Sequence, residues 1–224
     1  MRHESIFQQV QRDFRACLER DPAARSALEV LLCYPGFHAA LAYRIFHRLQ
    51  RAHVPLLPRC LSQVTRFLTG IEIHPAAEIE SGIFIDHGMA VVIGETAAIG
   101  RNCTLYQGVT LGGTSLQHGK RHPTLEDGVV VGAGATVLGA IVVGEQSKVA
   151  AGAVVVNSVP PNSTVVGVPG RVILKDGKRL EESVIPKVDM PDPTAETIAL
   201  LSQRIEALEQ RLAEQERQRG ASSI

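Results

Sequence analysis

The sequence predicts an α+β chain. It divides into an N-terminal helical domain over residues 1–70, a parallel β-helix over residues 71–174, a linker or arm over residues 175–193, and a C-terminal amphipathic helix and tail over residues 194–224. Three observations carry this. Apolar residues of the first seventy positions recur at helical spacing, aliphatic residues then recur every six positions, and from Ile198 they recur at alternating spacings of three and four.

In the helical domain Ile6, Val10 and Phe14 stand four apart, Leu28 to Leu32 form a cluster, and Phe37, Leu41, Ile45 and Leu49 return to four-residue spacing. Pro22, Pro35, Pro55 and Pro58 mark where helices begin or end, since proline fits a first turn and not an interior. A last helix carrying Leu61, Val64 and Phe67 runs into Gly70, a residue suited to a helix stop.

From Ile73 the period becomes six, which neither a helix nor an alternating strand produces. Ile73, Ile79 and Ile85 form one run; Ile93, Ile99, Leu105 and Leu111 form a second; Val131, Val137, Val143, Val149 and Val155 form a third. Each six-residue unit reads as one short face of a coil, its aliphatic side chain turned inward onto the coil below, so no unit folds alone. Small residues follow several of these, at Gly94, Gly100, Gly112, Gly132 and Gly144, where a tight corner leaves little room. The period breaks between Ile85 and Ile93 and between Leu111 and Val131, and interruptions of a rigid scaffold are where sites are built. The second break holds residues 112–123, too glycine-rich and polar for a core.

The repeat fades at Pro160-Pro161-Asn162-Ser163, and the polar, proline-punctuated stretch beyond reads as a linker or wrapping arm. In the last segment Ile198, Leu201, Ile205, Leu208 and Leu212 make a heptad seam. It fits an amphipathic helix packed on its own subunit or a short coiled coil between subunits.

Composition excludes several classes of function. Lys plus Arg number 23 and Asp plus Glu number 23, so no long-range field draws nucleic acid or an anionic membrane, and neither is expected as a partner. Cys17, Cys33, Cys60 and Cys103 lie far apart without a Cys-x-x-Cys pair and read as free, mostly buried thiols. No apolar run has the length of a signal peptide or a membrane span, which predicts a cytoplasmic protein. Trp is absent and aromatics make up 4 % of residues, a mixture suited to a narrow, regularly stacked core.

Several of these motifs resemble those of the serine O-acetyltransferases, hexapeptide-repeat acyltransferases that make O-acetyl-L-serine from L-serine and acetyl-CoA in the first step of cysteine biosynthesis from serine. The resemblance is carried by Ile71-Glu72-Ile73-His74-Pro75-Ala76-Ala77, Ile85-Asp86-His87-Gly88, Val92-Ile93-Gly94-Glu95-Thr96, Val109-Thr110-Leu111-Gly112-Gly113-Thr114, Arg121-His122-Pro123 and Gly167-Val168-Pro169-Gly170. Upstream, Arg20-Asp21-Pro22-Ala23 and Gly36-Phe37-His38-Ala39 resemble the family's helical domain. Parallel crossovers are right-handed in about 98 % of cases, and spacing says nothing against that. Only the resemblance implies a left-handed coil. It implies in addition homotrimers, or trimers paired into hexamers through the helical domains, with active sites between neighbouring coils.

A serine hydroxyl is a poor nucleophile at neutral pH, so direct attack on a thioester needs a positioned base. His87, in the first break of the period, matches the family's catalytic histidine, and Glu72 matches the carboxylate that orients it, a position where many members carry Asp. Asp21, Asp86, Arg121 and His122 match positions that hold serine, and carboxylates for the ammonium with an Arg fork for the carboxylate is a sensible division. Asp21 precedes a proline and also fits a helix N-cap. By resemblance Gly113, Ala133 and Ala151 line the acetyl-CoA groove, Lys148 approaches its phosphates, and the Gly113 N–H is a candidate oxyanion donor.

Acetyl-CoA is thus expected as a co-substrate, with no permanently bound cofactor. His118 and His122 have the spacing of a helical metal pair, but Gly119 and Pro123 speak against a helix, so no metal site is expected. Competing readings are acetylation of a sugar or xenobiotic hydroxyl, a zinc hydratase of the carbonic anhydrase type, and an interaction scaffold. The resemblance implies L-cysteine as a feedback inhibitor at the serine site and docking of the terminal Ile224 into O-acetylserine sulfhydrylase.

Overall fold

The computed structural model describes residues 4–180 and 193–221. Four helices precede the sheets. α1 (Ile6–Arg20) opens on a capping box in which Ser5 accepts from the Gln8 N–H and the Gln8 side chain accepts from the Ser5 N–H. α2 (Ala27–Cys33) is capped by Ser26, and α3 (Pro35–Arg51) has proline in its first turn. α4 (Leu57–Thr69) ends at Gly70 in the left-handed conformation, φ +73°.

The repeat folds into three parallel sheets, one per face of a prism. The first is β1 (Glu72–Ile73), β4 (Val92–Ile93), β7 (Thr110–Gly112), β10 (Thr136–Leu138) and β13 (Val154–Val155). The second is β2 (Glu78–Ile79), β5 (Ala98–Ile99), β8 (Thr124–Leu125) and β11 (Val142–Val143). The third is β3 (Phe84–Ile85), β6 (Thr104–Leu105), β9 (Val130–Val131), β12 (Lys148–Val149) and β14 (Ser163–Val166), extended antiparallel by β15 (Arg171–Lys175) and β16 (Lys178–Arg179).

Registry follows the six-residue period. Ile73, Ile93, Leu111, Val137 and Val155 stack in the first sheet, Ile79, Ile99, Leu125 and Val143 in the second, and Ile85, Leu105, Val131, Val149 and Val165 in the third. The twelve aliphatic residues picked out by the period are all buried, none more than 7 % exposed. Leu125 and Val165 join them, and both correct the expected pattern. Leu125 lies six residues before Val131, so the period resumes there and the long excursion ends earlier than expected. Val165 lies past Pro160-Pro161, so the coil continues through β14, and residues 175–180, expected in a linker, complete β15 and form β16.

The helices are fastened to the first coil by polar groups in the core. Asp13 of α1 and Arg44 of α3 form a buried ion pair (Nε to Oδ2, 3.0 Å). Asp13 accepts from the Gly82 N–H at 2.7 Å, and Arg44 donates to the carbonyls of Ile79 and Glu80. Tyr43 donates to the Ala77 carbonyl at 2.6 Å. Each group is satisfied on both sides of the junction, which is what makes a buried charge tolerable.

Of the cysteines, Cys17 and Cys103 are buried, but Cys33 and Cys60 are exposed, against expectation, because α2 and α4 turn them to solvent. α5 (Pro193–Ala221) belongs to a separate unit and carries Ile198, Leu201, Ile205, Leu208 and Leu212 at 52–60 % exposure. Among the described residues no helix is long and apolar enough to cross a membrane. Ile224 lies outside the described residues.

Candidate active site

The candidate residues gather on two different edges of the prism. The first edge is the corner between β3 and β4, where the period breaks first. The Asp86 N–H donates to the Leu105 carbonyl at 2.8 Å, which keeps the chain stacked up to that point. His87 then takes φ +58°, a left-handed conformation that non-glycine residues seldom adopt and that clusters at functional sites. The turn thrusts its imidazole outward, 73 % exposed, with Asp86 as its nearest ion-pair partner at 3.9 Å.

Asp21, at the C-terminus of α1, is brought over this corner by three local devices. Arg20 donates to the carbonyls of Asn102 (2.9 Å) and Cys103 (3.2 Å), clamping the end of α1 onto the second coil. Gly36 lets the first turn of α3 lie flush on β3, since a Cβ there would overlap the Ile85 carbonyl oxygen. The Tyr34 O–H, between α2 and α3, donates to Asp21 Oδ2 at 2.6 Å while the Ala23 N–H donates to Oδ1 at 2.7 Å. These two hydrogen bonds, Tyr34 foremost, hold the Asp21 carboxyl below the usual carboxylate range, with a contribution from the facing His87. Asp21 thus closes the C-terminus of α1, where the proline suggests the start of a helix, and is an anion facing the candidate base.

The second edge is the corner between β7 and β8, which carries the long excursion. Arg121 pairs with Glu95 of the coil below, and that guanidinium holds the Glu95 carboxyl below its ordinary value. His122 is 8 % exposed. Its Nδ1 accepts from the Thr96 N–H at 3.2 Å and lies 2.9 Å from Thr96 Oγ1, which itself accepts from the N–H groups of Arg121 and His122. With Nδ1 an acceptor, the proton of the neutral ring sits on Nε2. Burial, helped by Arg121, pushes the His122 pKa down and keeps the ring neutral. Two glycines make room for it: a Cβ on Gly94 would overlap the imidazole, and one on Gly113 would stand 3.2 Å from Nε2 and 3.1 Å from Arg121 Cγ. Beside this corner lies an open groove of 380 Å3 bordered by Glu78, Glu95 and Lys120.

The remaining expected residues divide the same way. Ala133 and Ala151 stack on the His87 edge further along the coil, joined through the Gly152 N–H to the Ala133 carbonyl at 2.9 Å, and Lys148 is exposed on neighbouring β12. Gly113 lies instead on the Arg121 edge. The structure does not place Glu72 on His87. Its carboxylate is 3.3 Å from Arg66, because the outward side of β1 faces the end of α4. Its backbone N–H nevertheless donates to Val91 at the end of the His87 corner, 2.9 Å.

The sequence gives no role in the site to Glu95, Thr96 or Tyr34, and to Gly94 only that of a tight corner. Gly94, Glu95 and Thr96 stand in a motif already singled out, one coil below the excursion, so the stacking register was the signal available for them. Tyr34 had none, since nothing local relates it to Asp21.

Comparison with known proteins agrees with this architecture. A family model described as "Serine acetyltransferase, N-terminal" matches residues 1–55. A serine acetyltransferase of Synechococcus elongatus is 56 % identical over 92 % of this chain and 84 % of its own. Among solved structures, serine acetyltransferase from Neisseria gonorrhoeae in complex with serine superposes with a TM-score of 0.73 at 44 % identity, covering 75 % of this chain and 69 % of that one. One in complex with cysteine gives 0.74 at 41 % identity, over 75 % and 70 %. One from Brucella abortus in complex with coenzyme A gives 0.73 at 42 % identity, over 75 % and 67 %. The shared fold is an N-terminal helical region, a left-handed β-helix and a C-terminal helix.

Proposed function

Since the chain belongs to the serine acetyltransferase family, we infer that it moves the acetyl group of acetyl-CoA onto the hydroxyl of L-serine, yielding O-acetyl-L-serine and CoA and so opening the route to cysteine. The observation that carries the chemistry is the His87 corner, where an outward, exposed imidazole stands beside two carboxylates, Asp86 and Asp21, on a backbone turned left-handed to present it.

In the proposed mechanism His87 takes the proton of the serine hydroxyl as the oxygen attacks the thioester carbonyl. The Gly113 N–H stabilises the oxyanion, and collapse of the tetrahedral intermediate expels the CoA thiolate, which receives the proton back from the imidazolium. Asp21 and Asp86 take the serine ammonium. Arg121, exchanging Glu95 for the substrate, and the Nε2–H of His122 take its carboxylate. Glu72, bonded through its backbone to the end of the same corner, is the carboxylate available to orient His87 once Arg66 releases it. Ala133 and Ala151 offer close backbone approach along the His87 edge to the pantetheine arm of acetyl-CoA, with Lys148 toward its phosphates. No resident cofactor enters the scheme.

Two edges of one prism cannot meet on one small molecule, so the reading requires the His87 edge of one subunit against the Arg121 edge of the next. Cyclic repetition of that heterologous contact closes as a homotrimer, and pairing of helical domains would make a hexamer. L-cysteine, which keeps the ammonium and carboxylate of serine, would compete for the same groups. A cytoplasmic location fits the free thiols, and Ile224 would be the group offered to O-acetylserine sulfhydrylase.

Acceptor-dependent release of CoA thiol tests the reaction. L-serine should exceed sugar and amino-alcohol hydroxyls by more than about tenfold in kcat/KM, because a site built to pair charged groups rejects ligands that leave them unpaired. Equal rates with a sugar hydroxyl would overturn the assignment.

A further inference from the structure

We propose that α5 joins subunits as a parallel, in-register coiled coil with the equivalent helices of other copies of this chain. Five of its six large aliphatic residues fall on a single heptad seam, with Ile198, Ile205 and Leu212 at the a positions and Leu201 and Leu208 at d, while Leu200 stands outside it at c; every one of them is more than half exposed. Five large aliphatic side chains in a line is more apolar surface than a solvated helix carries without a partner.

The charges beside the seam identify the partner and its direction. Arg204 and Arg211 occupy g positions and Glu209 an e position. In a parallel pair the g residue of one helix faces the e residue five positions on in its neighbour, so Arg204 meets Glu209. The sequence repeats the pair seven residues later as Arg211 and Glu216. In an antiparallel pair g faces g and e faces e, which would set arginine against arginine. A helix whose two flanks are complementary to each other in the parallel sense has a second copy of itself as its matching surface. Such rim pairs add little strength but select orientation strongly.

Residues 198–212 span about 21 Å of helix, too short to hold together as free peptides. Tethering to bodies already associated raises the local concentration to the millimolar range and makes a short seam sufficient. Rotation about a cyclic axis leaves helices that meet along it parallel, in agreement with the charge pattern. The inference rests on the homo-oligomeric part of the reading above and is independent of its chemistry.

Disulfide trapping in the full-length chain tests it, in a Cys33→Ser, Cys60→Ser background that removes the exposed thiols. Leu201→Cys, near one end of the seam, should give covalent dimers under mild oxidation at least tenfold faster than Gln203→Cys on the outer face. Adding Arg204→Glu should slow trapping at least threefold, and adding Glu209→Arg to that should restore it. An antiparallel coil would set residue 201 opposite the other end of its neighbour and leave it untrapped. Equal rates at 201 and 203, or no rescue by the second charge reversal, overturn the proposal. Sedimentation of the reduced protein separates the two failures: a monomer removes the oligomeric reading and this inference together, whereas an assembly that does not trap at 201 removes this inference alone.

Discussion

The two histidines that bracket the proposed serine site are opposites. His87 stands on a left-handed turn with its ring in solvent and one carboxylate within 4 Å, whereas His122 is 8 % exposed, fitted between Gly94 and Gly113 and fixed in one tautomer by Thr96. A ring that must accept and return a proton needs access and freedom to change charge. A ring that must present one N–H to a carboxylate needs a locked proton and a depressed pKa. The same side chain is given two roles by what surrounds it.

Removing each should therefore do different damage. His87→Ala deletes the proposed base and should lower kcat by about a hundred- to ten-thousand-fold, while the unfolding temperature stays within roughly 2 °C, because an exposed imidazole 3.9 Å from Asp86 adds little to stability. Near-normal turnover in a thiol-release assay would end the assignment. On the other edge, Gly94→Ala leaves every proposed catalytic group in place yet drives a methyl group into the His122 imidazole. Displacement of about 1 Å at a binding group costs on the order of a hundredfold in kcat/KM, and here the loss should come with a lowered unfolding temperature. Normal serine kinetics in Gly94→Ala would show that the fit of His122 is structural packing and nothing more.

The contrast also marks how far the sequence could be read. The twelve inward residues were legible because one backbone geometry forces one period. Leu125 was lost because the excursion hid its phase, and Val165 because Pro160-Pro161 looked like an ending. The two-edge arrangement is legible in the period once three units are taken to a coil: counting in threes from Ile73 puts Asp86-His87 after the third face and the excursion after the first. By contrast, Glu72 meeting Arg66 depends on how α4 packs on the coil, and Asp21 meeting Tyr34 on how α2 packs against α1 and α3, neither of which any local pattern encodes.

That last contact yields a finer test of the His87 edge. Tyr34 touches Asp21 and not the reacting atoms, so Tyr34→Phe should raise the KM for serine about tenfold, the worth of one hydrogen bond to a charged group, with kcat and the KM for acetyl-CoA within twofold. In an Asp21→Ala background the same change should add nothing, because Tyr34 acts only through that carboxylate. A persisting effect there would assign Tyr34 to packing.

The smallest expected effect is on stability against pH, and it belongs to the half-buried His47 and His74 and the buried His122. His47, His74 and His122 all have pKa values pushed below 6.5, in each case chiefly by burial. The unfolded chain binds more protons than the folded one between those depressed values and about 6.5, so their contribution to stability is complete above pH 6.5 and is lost as pH falls below it. Asp13 works in the opposite sense, its pKa raised by burial despite Arg44, so the total slope is a composite. The difference between parent and His122→Gln cancels the other groups. Between pH 7.5 and 5.5 the variant should lose roughly 2 °C less in unfolding temperature than the parent. Parallel curves would mean that His122 accepts a proton in place, and then it could not be the fixed donor that distinguishes it from His87.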